Sequence, residues 1–502
     1  MTPSAPARTV SRLLGGVWIW SALAALVVGC YRLTTPELWR DEISTWTAST
    51  RSLDDLLRML QHVDASNGVY YVLMHGWTAL FGDSPLSLRL PSVLAMAGAA
   101  AFSALTAQRL FDSRVAGLAA GLLLTVVPNI ARYAQEARSY ALVTCAVAAA
   151  TWLLLLALER PGLWRWAGYG ACVALAGGAH LISLTALGGQ FALVLLHLWR
   201  TRRSLDRRLL WQYPLAVLGA LAPVVPLMLL GSSQSDRQLG WIPTPSQFDL
   251  RTFGRLLFAS PDVYHVFLAL ALATLLWPGR RLAAVQLLLV AEVPVVAVWV
   301  VSLGQTSYFI DRYLLFTLPA WAALAGGGVG ALYAAARRVA PVPVCAAVAL
   351  AAVAVPAYQA VPVQRAVRGA FAHEHGSDYR SAAAVIAAGF HPGDGVVAPY
   401  GEWNWAMIGP AVDFYLPGDI RPTAIFLRNT AAQAGDLYPV ECPVPTSCLG
   451  TAQRIWLVTV GAAPDPLKTL PGEQSKALRA HYAPAGVQQV RGLTVSLLER
   501  TG

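Results

Sequence analysis

Two adjacent carboxylates, Asp41 and Glu42, follow Arg40 shortly after the first long apolar stretch of the chain. A carboxylate held near a membrane surface can act as a general base that takes the proton of an attacking hydroxyl. The same residues could instead open a solvated helix over 42–50, with Asp41 as its N-cap. The pair of carboxylates alone leaves both interpretations open.

A second group of polar residues combines arginine with tyrosine. One short segment between two otherwise uncharged apolar stretches contains Arg132, Tyr133, Arg138 and Tyr140. Arginine carries a planar fork of donors that suits phosphate oxygens, and ionisable residues at membrane depth are functional candidates by default. The segment therefore predicts a phosphate-binding site. Pairing of Arg138 with Glu136 is the alternative.

Further isolated side chains could line a cavity beside these groups. Tyr70, Tyr71 and His75 come from the first long loop. They lie in an apolar run of about 12 residues, which is too short to span a membrane and predicts a re-entrant or interfacial segment. Each histidine among them is equally well explained by packing, and Asp311 could pair locally with Arg312, which could equally face a lipid phosphate. The cavity candidates are Tyr70, Tyr71, His75, His180 and Asp311.

The composition places these residues in a membrane protein. Of the 502 residues, 56% are hydrophobic and only 13% are charged, and the mean hydropathy is +0.51. Soluble globular domains average about 45–50% apolar and about 25% charged residues. A disordered, fibrous or disulfide-framework chain is excluded on the same grounds.

About eleven apolar stretches approach the roughly 20 residues that a spanning helix needs. No later stretch reaches that length after residue 360, where charges, proline and glycine become frequent. The fold class predicted is therefore an α-helical polytopic membrane domain over 1–360. The stretches are 12–31, 88–108, 115–131, 139–158, 164–181, 183–199, 209–230, 262–277, 282–303, 313–335 and 340–359.

Arginine determines the predicted orientation. Every second short loop is basic, which is the positive-inside pattern and places those loops and the N-terminus in the cytoplasm. The net charge of +10 is then largely a topology signal, and nucleic-acid binding loses its main support. Only Lys468 and Lys476 are lysines, a bias that hints at a bacterial genome and so at a bacterial inner membrane. The loops predicted outside are 32–87, 132–139, 231–261 and 304–312.

Residues 361–502 predict a small extracytoplasmic α/β domain. The patterns indicate a helix over 380–389 and strands over 396–399, 423–427, 454–460 and 489–498. Cys442 and Cys448 flank a short loop, and an oxidising compartment favours a disulfide between them. Trp403 and Trp405 could stack on a sugar or belong to a core or a membrane interface.

The chain resembles the GT-C glycosyltransferases that use polyprenyl-phosphate sugars. This superfamily includes protein O-mannosyltransferases and bacterial aminoarabinose-type transferases. None of the matching segments is a strict signature, but they occur in order with the spacing of that family. The segments are ELWRDE (37–42), YYVLMHGWTALFGDSPLSLRLPS (70–92), ARYAQEARSYAL (131–142) and DRYLLFTLPA (311–320).

The resemblance implies an inverting transfer of a sugar, of mannose or arabinose type, from a polyprenyl-phosphate donor to a hydroxyl outside the cytoplasm. It implies that Asp41 is the general base, with Glu42 beside it, and that Arg132, Arg138 and Arg312 bind the donor phosphate. Whether the acceptor is a protein, a lipid or a polysaccharide stays open. Some relatives use a divalent metal, which is also left open because no clear cluster of ligands is visible.

A membrane transporter or lipid flippase is the alternative class. Such proteins use charges within the membrane and often contain two similar halves. This sequence has no evident internal repeat, and its charges concentrate on one predicted face. A non-catalytic assembly or anchoring protein is the third interpretation.

Overall fold

The computed structural model describes residues 16–202, 206–234, 239–372, 376–401, 406–462 and 464–501. Trp403 and Trp405 therefore lie outside the described residues. Contacts divide the chain into two compact units. The first comprises Met1–Leu33, Asp64–Tyr70 and Arg89–Val367, and the second comprises Thr34–Val63, Tyr71–Leu88 and Arg368–Gly502. Two segments of the first long loop thus belong to the same unit as the C-terminal region.

The first unit consists of helices joined by short turns. Among the described residues, three of its connections are 3-10 turns, Ala65–Asn67, Leu181–Thr185 and Asp311–Thr317. The helices Gly68–Phe81 and Pro85–Phe111 each begin in one unit and end in the other. The remaining helices of this unit are Val17–Cys30, Arg114–Val126, Pro128–Ala134, Tyr140–Glu159, Leu163–Ala179, Ala186–Thr201, Leu209–Leu221, Val225–Ser233, Gln247–Phe258, Pro261–Leu276, Arg281–Val301, Leu318–Ala336 and Val342–Ala366.

Among the described residues, six helices are long and apolar enough to cross a membrane, and up to nine are if each of three bent pairs is one span. Every apolar stretch predicted from the sequence overlaps one of the helices or bent pairs. Two predicted spans correspond to shorter helices, Val17–Cys30 with 14 residues and Leu163–Ala179 with 17. The predicted α-helical fold class is confirmed.

A bend interrupts the predicted span 115–131. The helices Arg114–Val126 and Pro128–Ala134 meet at 70°. Val127 is extended, with ψ 119°, because a residue that precedes proline avoids the α region. Pro128 then opens the next helix, where its missing N–H costs nothing. The bend places Arg132 and Tyr133 on a short helix of their own.

Glycines allow close packing around the helix Leu318–Ala336 of the first unit. In the apolar window of Asp311–Ala336, 94% of the residues are buried, against 17% for Val342–Ala366. A Cβ added to Gly328 would collide with the carbonyl oxygen of Leu270, and one added to Gly326 with backbone at Ala116. Glycines of this kind let neighbouring helices approach closely in a membrane.

The second unit contains a five-stranded sheet. Its strands lie in the order Thr423–Ala424, Gly395–Val397, Arg454–Val460, Leu493–Arg500 and Tyr482–Val490. Gly395–Val397 pairs in parallel with both of its neighbours, and Leu493–Arg500 pairs antiparallel with both of its neighbours. Buried residues of the sheet pack with Leu478 from the helix Gly472–His481, which agrees with the predicted α/β class.

The other elements of the second unit flank this sheet. A two-stranded antiparallel pair joins Leu427–Asn429 to Val440–Glu441, and the sulfurs of Cys442 and Cys448 are bonded to each other. The short 3-10 turns are Pro445–Cys448 and Pro466–Thr469. The helices are Arg40–Ser49, Leu53–His62, Tyr379–Gly389, Ile408–Tyr415, Ala431–Ala434 and Gly472–His481.

Two strands predicted as continuous are each interrupted by a residue with positive φ. The predicted strand 489–498 is part of a hairpin, whose strands Tyr482–Val490 and Leu493–Arg500 are joined through Gly492. Gly492 has φ +74°, a conformation that glycine adopts without steric cost. The predicted strand 423–427 is interrupted at Phe426, which has φ +65°.

Candidate active site

The first unit brings three arginines together around aromatic rings. The guanidinium carbon of Arg132 lies 5.3 Å from the centroid of the Tyr133 ring, and that of Arg138 lies 6.0 Å from the centroid of Tyr140. These distances fall in the range of cation–π attraction. We call this group the arginine–aromatic cluster: Arg132, Tyr133, Arg138, Tyr140, His180, Arg312 and Tyr313.

The rings of the cluster form one continuous group. The centroid of Tyr140 lies 5.4 Å from that of Tyr133, 5.7 Å from that of His180 and 6.3 Å from that of Tyr313. His180 and Tyr313 are 4.6 Å apart, and the Arg312 guanidinium lies 5.8 Å from the Tyr313 ring. Residues predicted from three separate loops therefore meet in one place.

Two carboxylates accompany the guanidinium groups. Glu136 accepts a hydrogen bond from Nε of Arg132 at 3.0 Å, an ion pair that was not predicted from the sequence. Asp311 accepts a hydrogen bond of 3.0 Å from Nδ2 of Asn129. Asn129 also donates to the carbonyl oxygen of Leu257 at 3.0 Å, and it therefore connects Asp311 to another segment of the unit.

The turn that carries Arg138 is held by hydrogen bonds on both sides. Nε2 of Gln135 donates to the carbonyl oxygen of Gly29 at 2.8 Å. The hydroxyl of Ser92 donates to the carbonyl oxygen of Glu136 at 2.6 Å. Arg138 itself is buried. A buried side chain carried by a turn that is held in this way is preorganised for a ligand.

His180 is the histidine of the cluster. It lies between the helices that flank it rather than within either one. Burial, followed by the charges of Arg138 and Arg312, lowers the pKa of His180 to about 3. The imidazole therefore stays neutral at physiological pH. It can donate or accept a hydrogen bond there, but it cannot serve as a proton donor in the imidazolium form.

Sequence reasoning missed two residues of this region and one contact. Tyr313 directly follows Arg312, and Asn129 is a lone amide within an apolar stretch; either position could have been recognised. The guanidinium of Arg312 also lies 5.2 Å from the ring of Trp241. Trp241 belongs to the predicted loop 231–261, of which 235–238 lie outside the described residues.

The second unit carries Asp41 and Glu42 in the first turn of the helix Arg40–Ser49. Asp41 is 8% exposed and Glu42 is fully buried. The N-cap is Trp39, so the alternative in which Asp41 caps a helix over 42–50 is wrong. Negative charge in the first turn of a helix is stabilised by the positive end of the helix dipole.

Two cavity candidates, Tyr71 and His75, also belong to the second unit, whereas Tyr70 belongs to the first. Tyr70 and Tyr71 are buried. Nδ1 of His75 lies 3.0 Å from the carbonyl oxygen of Ser49. Since a carbonyl oxygen only accepts, Nδ1 donates, and His75 thereby contacts the end of the helix that carries Asp41.

Glu37 has a role that the sequence did not reveal. Its carboxylate accepts the backbone N–H groups of Tyr379 at 2.7 Å and Arg380 at 3.3 Å, which open the helix Tyr379–Gly389. Unpaired N–H groups at a helix start are a natural site for an anion. Burial nevertheless raises the pKa of Glu37 to about 7, because its desolvation outweighs these hydrogen bonds.

The raised pKa of Glu37 predicts a pH-dependent stability of the second unit. Between pH 4.5 and about 7 the folded state binds the proton more tightly than the unfolded state, so the free energy of unfolding falls as pH rises through this interval. Glu37→Gln mimics the neutral form. Thermal unfolding of the full chain in detergent should therefore depend less on pH between 5 and 8 for Glu37→Gln than for the wild type.

Asp413 provides the comparison for this experiment. Burial raises its pKa to about 7 as well, so Asp413→Asn should remove a separate part of the pH dependence. Equal pH dependence in the wild type and in Glu37→Gln would contradict the prediction for Glu37.

Among the described residues, no group of three or more His, Cys, Asp or Glu side chains could hold a metal ion. The divalent metal that the sequence leaves open has no such candidate site in this part of the chain.

One family model matches the sequence. The family described as dolichyl-phosphate-mannose-protein mannosyltransferase matches residues 68–229. The match includes Arg132, Arg138 and His180, and it excludes Asp41 and Arg312. A comparison with curated proteins finds no match.

Solved structures match over nearly the whole chain. ArnT from Cupriavidus metallidurans bound to undecaprenyl phosphate has a TM-score of 0.59 at 15% identity, with 98% of each chain covered. The chain has the fold of ArnT. The apo structure of the same ArnT has a TM-score of 0.58, with 15% identity and 98% of each chain covered. This shared fold, together with the apolar helices, supports a multi-pass membrane protein.

Arabinosyltransferase EmbB from Mycobacterium smegmatis is a more distant structural match. Its TM-score is 0.41 at 18% identity, and the match covers 66% of this chain and 31% of EmbB. A score of this size does not establish a shared fold.

Proposed function

We propose that this protein is an integral membrane glycosyltransferase that moves a sugar from a polyprenyl-phosphate donor to a hydroxyl acceptor. The observation that carries the proposal is the arginine–aromatic cluster in a chain with the fold of ArnT. ArnT was solved with undecaprenyl phosphate bound, and the cluster gathers the guanidinium groups that a lipid phosphate requires. The family model, which describes a mannosyltransferase acting with a lipid phosphate, supports the same class of donor.

The cluster would act on the leaving group. When the bond between the anomeric carbon and the phosphate oxygen breaks, negative charge grows on the polyprenyl phosphate. Preorganised cations in a site of low dielectric stabilise such charge without reorganising during the reaction. Arg132, Arg138 and Arg312 supply these cations, and the rings of Tyr133 and Tyr140 hold two of them in place.

Asp41 would act on the acceptor. The hydroxyl oxygen attacks the anomeric carbon on the face opposite to the phosphate, which inverts the configuration, while its proton passes to the Asp41 carboxylate. A general base of this kind contributes typically about 10²–10⁴-fold in rate. Glu42 lies beside it in the same helical turn.

The sugar is of mannose or arabinose type, and the acceptor is a protein, lipid or polysaccharide hydroxyl. The proposal therefore specifies a class of sugar and a class of acceptor. The arginine-rich short loops support an orientation in which the active site and the C-terminal region face outward from a bacterial inner membrane. No nucleotide-binding glycine-rich loop is evident in the sequence, which suits a donor that is not a nucleotide sugar.

The proposal is tested with the purified full chain in lipid nanodiscs. Undecaprenyl-phosphate mannose and undecaprenyl-phosphate aminoarabinose are offered separately with a membrane extract as the acceptor. We expect one donor to be consumed, with polyprenyl phosphate released in the same amount as the sugar transferred. Movement of intact donor across the bilayer of a reconstituted vesicle, without release of polyprenyl phosphate, would instead indicate a flippase.

A further inference from the structure

The start of the helix that carries Asp41 is held by the C-terminal part of the second unit. The backbone N–H of Leu38 donates to the hydroxyl of Tyr415 at 2.9 Å. The backbone N–H of Glu37 donates to the carbonyl oxygen of Ala370 at 2.9 Å. Both contacts lie within four residues of Asp41 in the chain.

The side of the same helix contacts the segment that includes the helix Ile408–Tyr415. The hydroxyl of Ser44 lies 3.2 Å from the sulfur of Met407. The ring of Trp46 packs edge-on against Phe414, with centroids 5.1 Å apart. The helix Ile408–Tyr415 and its N-cap residue Met407 therefore contact the middle of the Arg40–Ser49 helix and the residue Leu38 just before it.

This helix depends on such contacts for its position. It has ten residues, and the side chain of its N-cap residue, Trp39, makes no capping hydrogen bond to the first turn. Helices shorter than about 12–15 residues are marginal in isolation. Its other end is contacted by His75 at the carbonyl of Ser49, and the contacts with Tyr415 and Ala370 hold the segment that leads into the first turn.

We propose that the helix Ile408–Tyr415 is a positioning element for the general base, and that Tyr415 is its principal positioning residue. This inference rests on the proposed function, because it assigns the C-terminal helix a role in the reaction of Asp41. A general base must lie within hydrogen-bond reach of the proton that it removes. A displacement of about 1 Å can cost about 10²-fold in rate.

The test removes one hydroxyl. Tyr415→Phe deletes the acceptor of the Leu38 N–H but keeps the ring, whose centroid lies 5.2 Å from the Arg380 guanidinium. Tyr482→Phe is the matched control in the same unit, because it deletes a buried tyrosine hydroxyl that donates to the carbonyl of Ala452 at 2.6 Å. We expect Tyr415→Phe to lower kcat by about 10-fold or more, with KM for the donor within about twofold. Tyr482→Phe should keep the kcat of the wild type.

A double-mutant cycle separates positioning from a general loss of stability. In the background Asp41→Glu the carboxylate is already displaced, so the additional effect of Tyr415→Phe on kcat should be much smaller than in the wild type. A purely structural contribution would give the same effect in both backgrounds. Equal effects, or equal kcat values for Tyr415→Phe and Tyr482→Phe, would overturn the proposal.

Parallel assays of Asp41→Asn distinguish this inference from the proposed function. If Asp41→Asn is inactive and Tyr415→Phe is fully active, only the positioning role is wrong. If Asp41→Asn transfers sugar at the wild-type rate, or if the wild type transfers none, the proposed function or its base is wrong, and the positioning role is overturned with it.

Discussion

Replacement of Asp41 by asparagine is expected to lower kcat for sugar transfer by about 10²–10⁴-fold while KM for the donor changes by less than about twofold. Asparagine has nearly the same shape and can occupy the buried position in the first helical turn. It cannot accept the proton of the acceptor hydroxyl. Initial rates at saturating donor, measured with the purified protein in nanodiscs, give kcat directly.

Two further variants make this prediction specific. Asp54→Asn changes an exposed carboxylate in the first turn of the neighbouring helix Leu53–His62, and it should leave kcat unchanged. Glu42→Gln tests whether the adjacent carboxylate shares the role. A wild-type kcat in Asp41→Asn, or an equal loss in Asp54→Asn, would contradict the assignment of the base to Asp41.

Arg138→Ala is expected to weaken binding of polyprenyl phosphate by about 10–100-fold, because a hydrogen bond to a charged group contributes about 1.5–3 kcal/mol. Arg138 is buried beside Tyr140, so a phosphate would meet it in a site partly shielded from water. Binding of polyprenyl phosphate to the detergent-solubilised protein, followed by calorimetry or native mass spectrometry, measures the change.

The matched control for this prediction is Arg251→Ala, which removes an exposed arginine of the same unit on the helix Gln247–Phe258. It removes the same charge from an exposed position and should leave the affinity unchanged. Arg138→Lys keeps the charge but loses the planar fork and should give an intermediate affinity. Unchanged affinity in Arg138→Ala, with an unfolding temperature close to that of the wild type, would remove Arg138 from the phosphate site.

The sequence predicted the parts of the arginine–aromatic cluster that lie close together in the chain. Arg132, Tyr133, Arg138 and Tyr140 belong to one short segment, so their types alone suggested an anion site. Arg312 was assigned to the phosphate because the segment DRYLLFTLPA (311–320) resembles the GT-C glycosyltransferases. Asn129 was missed because it was counted within an apolar stretch, and the bend at Pro128 that ends this stretch was not recognised.

The contacts of the Asp41 helix could not be predicted from local patterns. Glu37 and Tyr379 are 342 residues apart in the chain, and Leu38 and Tyr415 are 377 apart. Hydrophobic periodicity reports only which residues share one face of one element. Pairings between distant segments depend on the tertiary fold, and the sequence offered no signal for them.

The overall fold was predicted better than its interruptions. Apolar length and composition identify helices because lipid requires every backbone polar group to be satisfied within the segment. The bends depend on single residues, as at Pro128, and the hairpin between Tyr482–Val490 and Leu493–Arg500 depends on Gly492. Such local features change one dihedral angle and leave the surrounding hydropathy unaltered, so they are not visible in a hydropathy pattern.

The release of polyprenyl phosphate by the wild type and by Asp41→Asn, measured side by side, tests the central claim most directly. Both proteins are supplied with the same polyprenyl-phosphate sugar and the same acceptor extract, and the free lipid phosphate is quantified by mass spectrometry. We predict release by the wild type and at least about 100-fold slower release by Asp41→Asn. Equal rates of release by the two proteins would contradict the account.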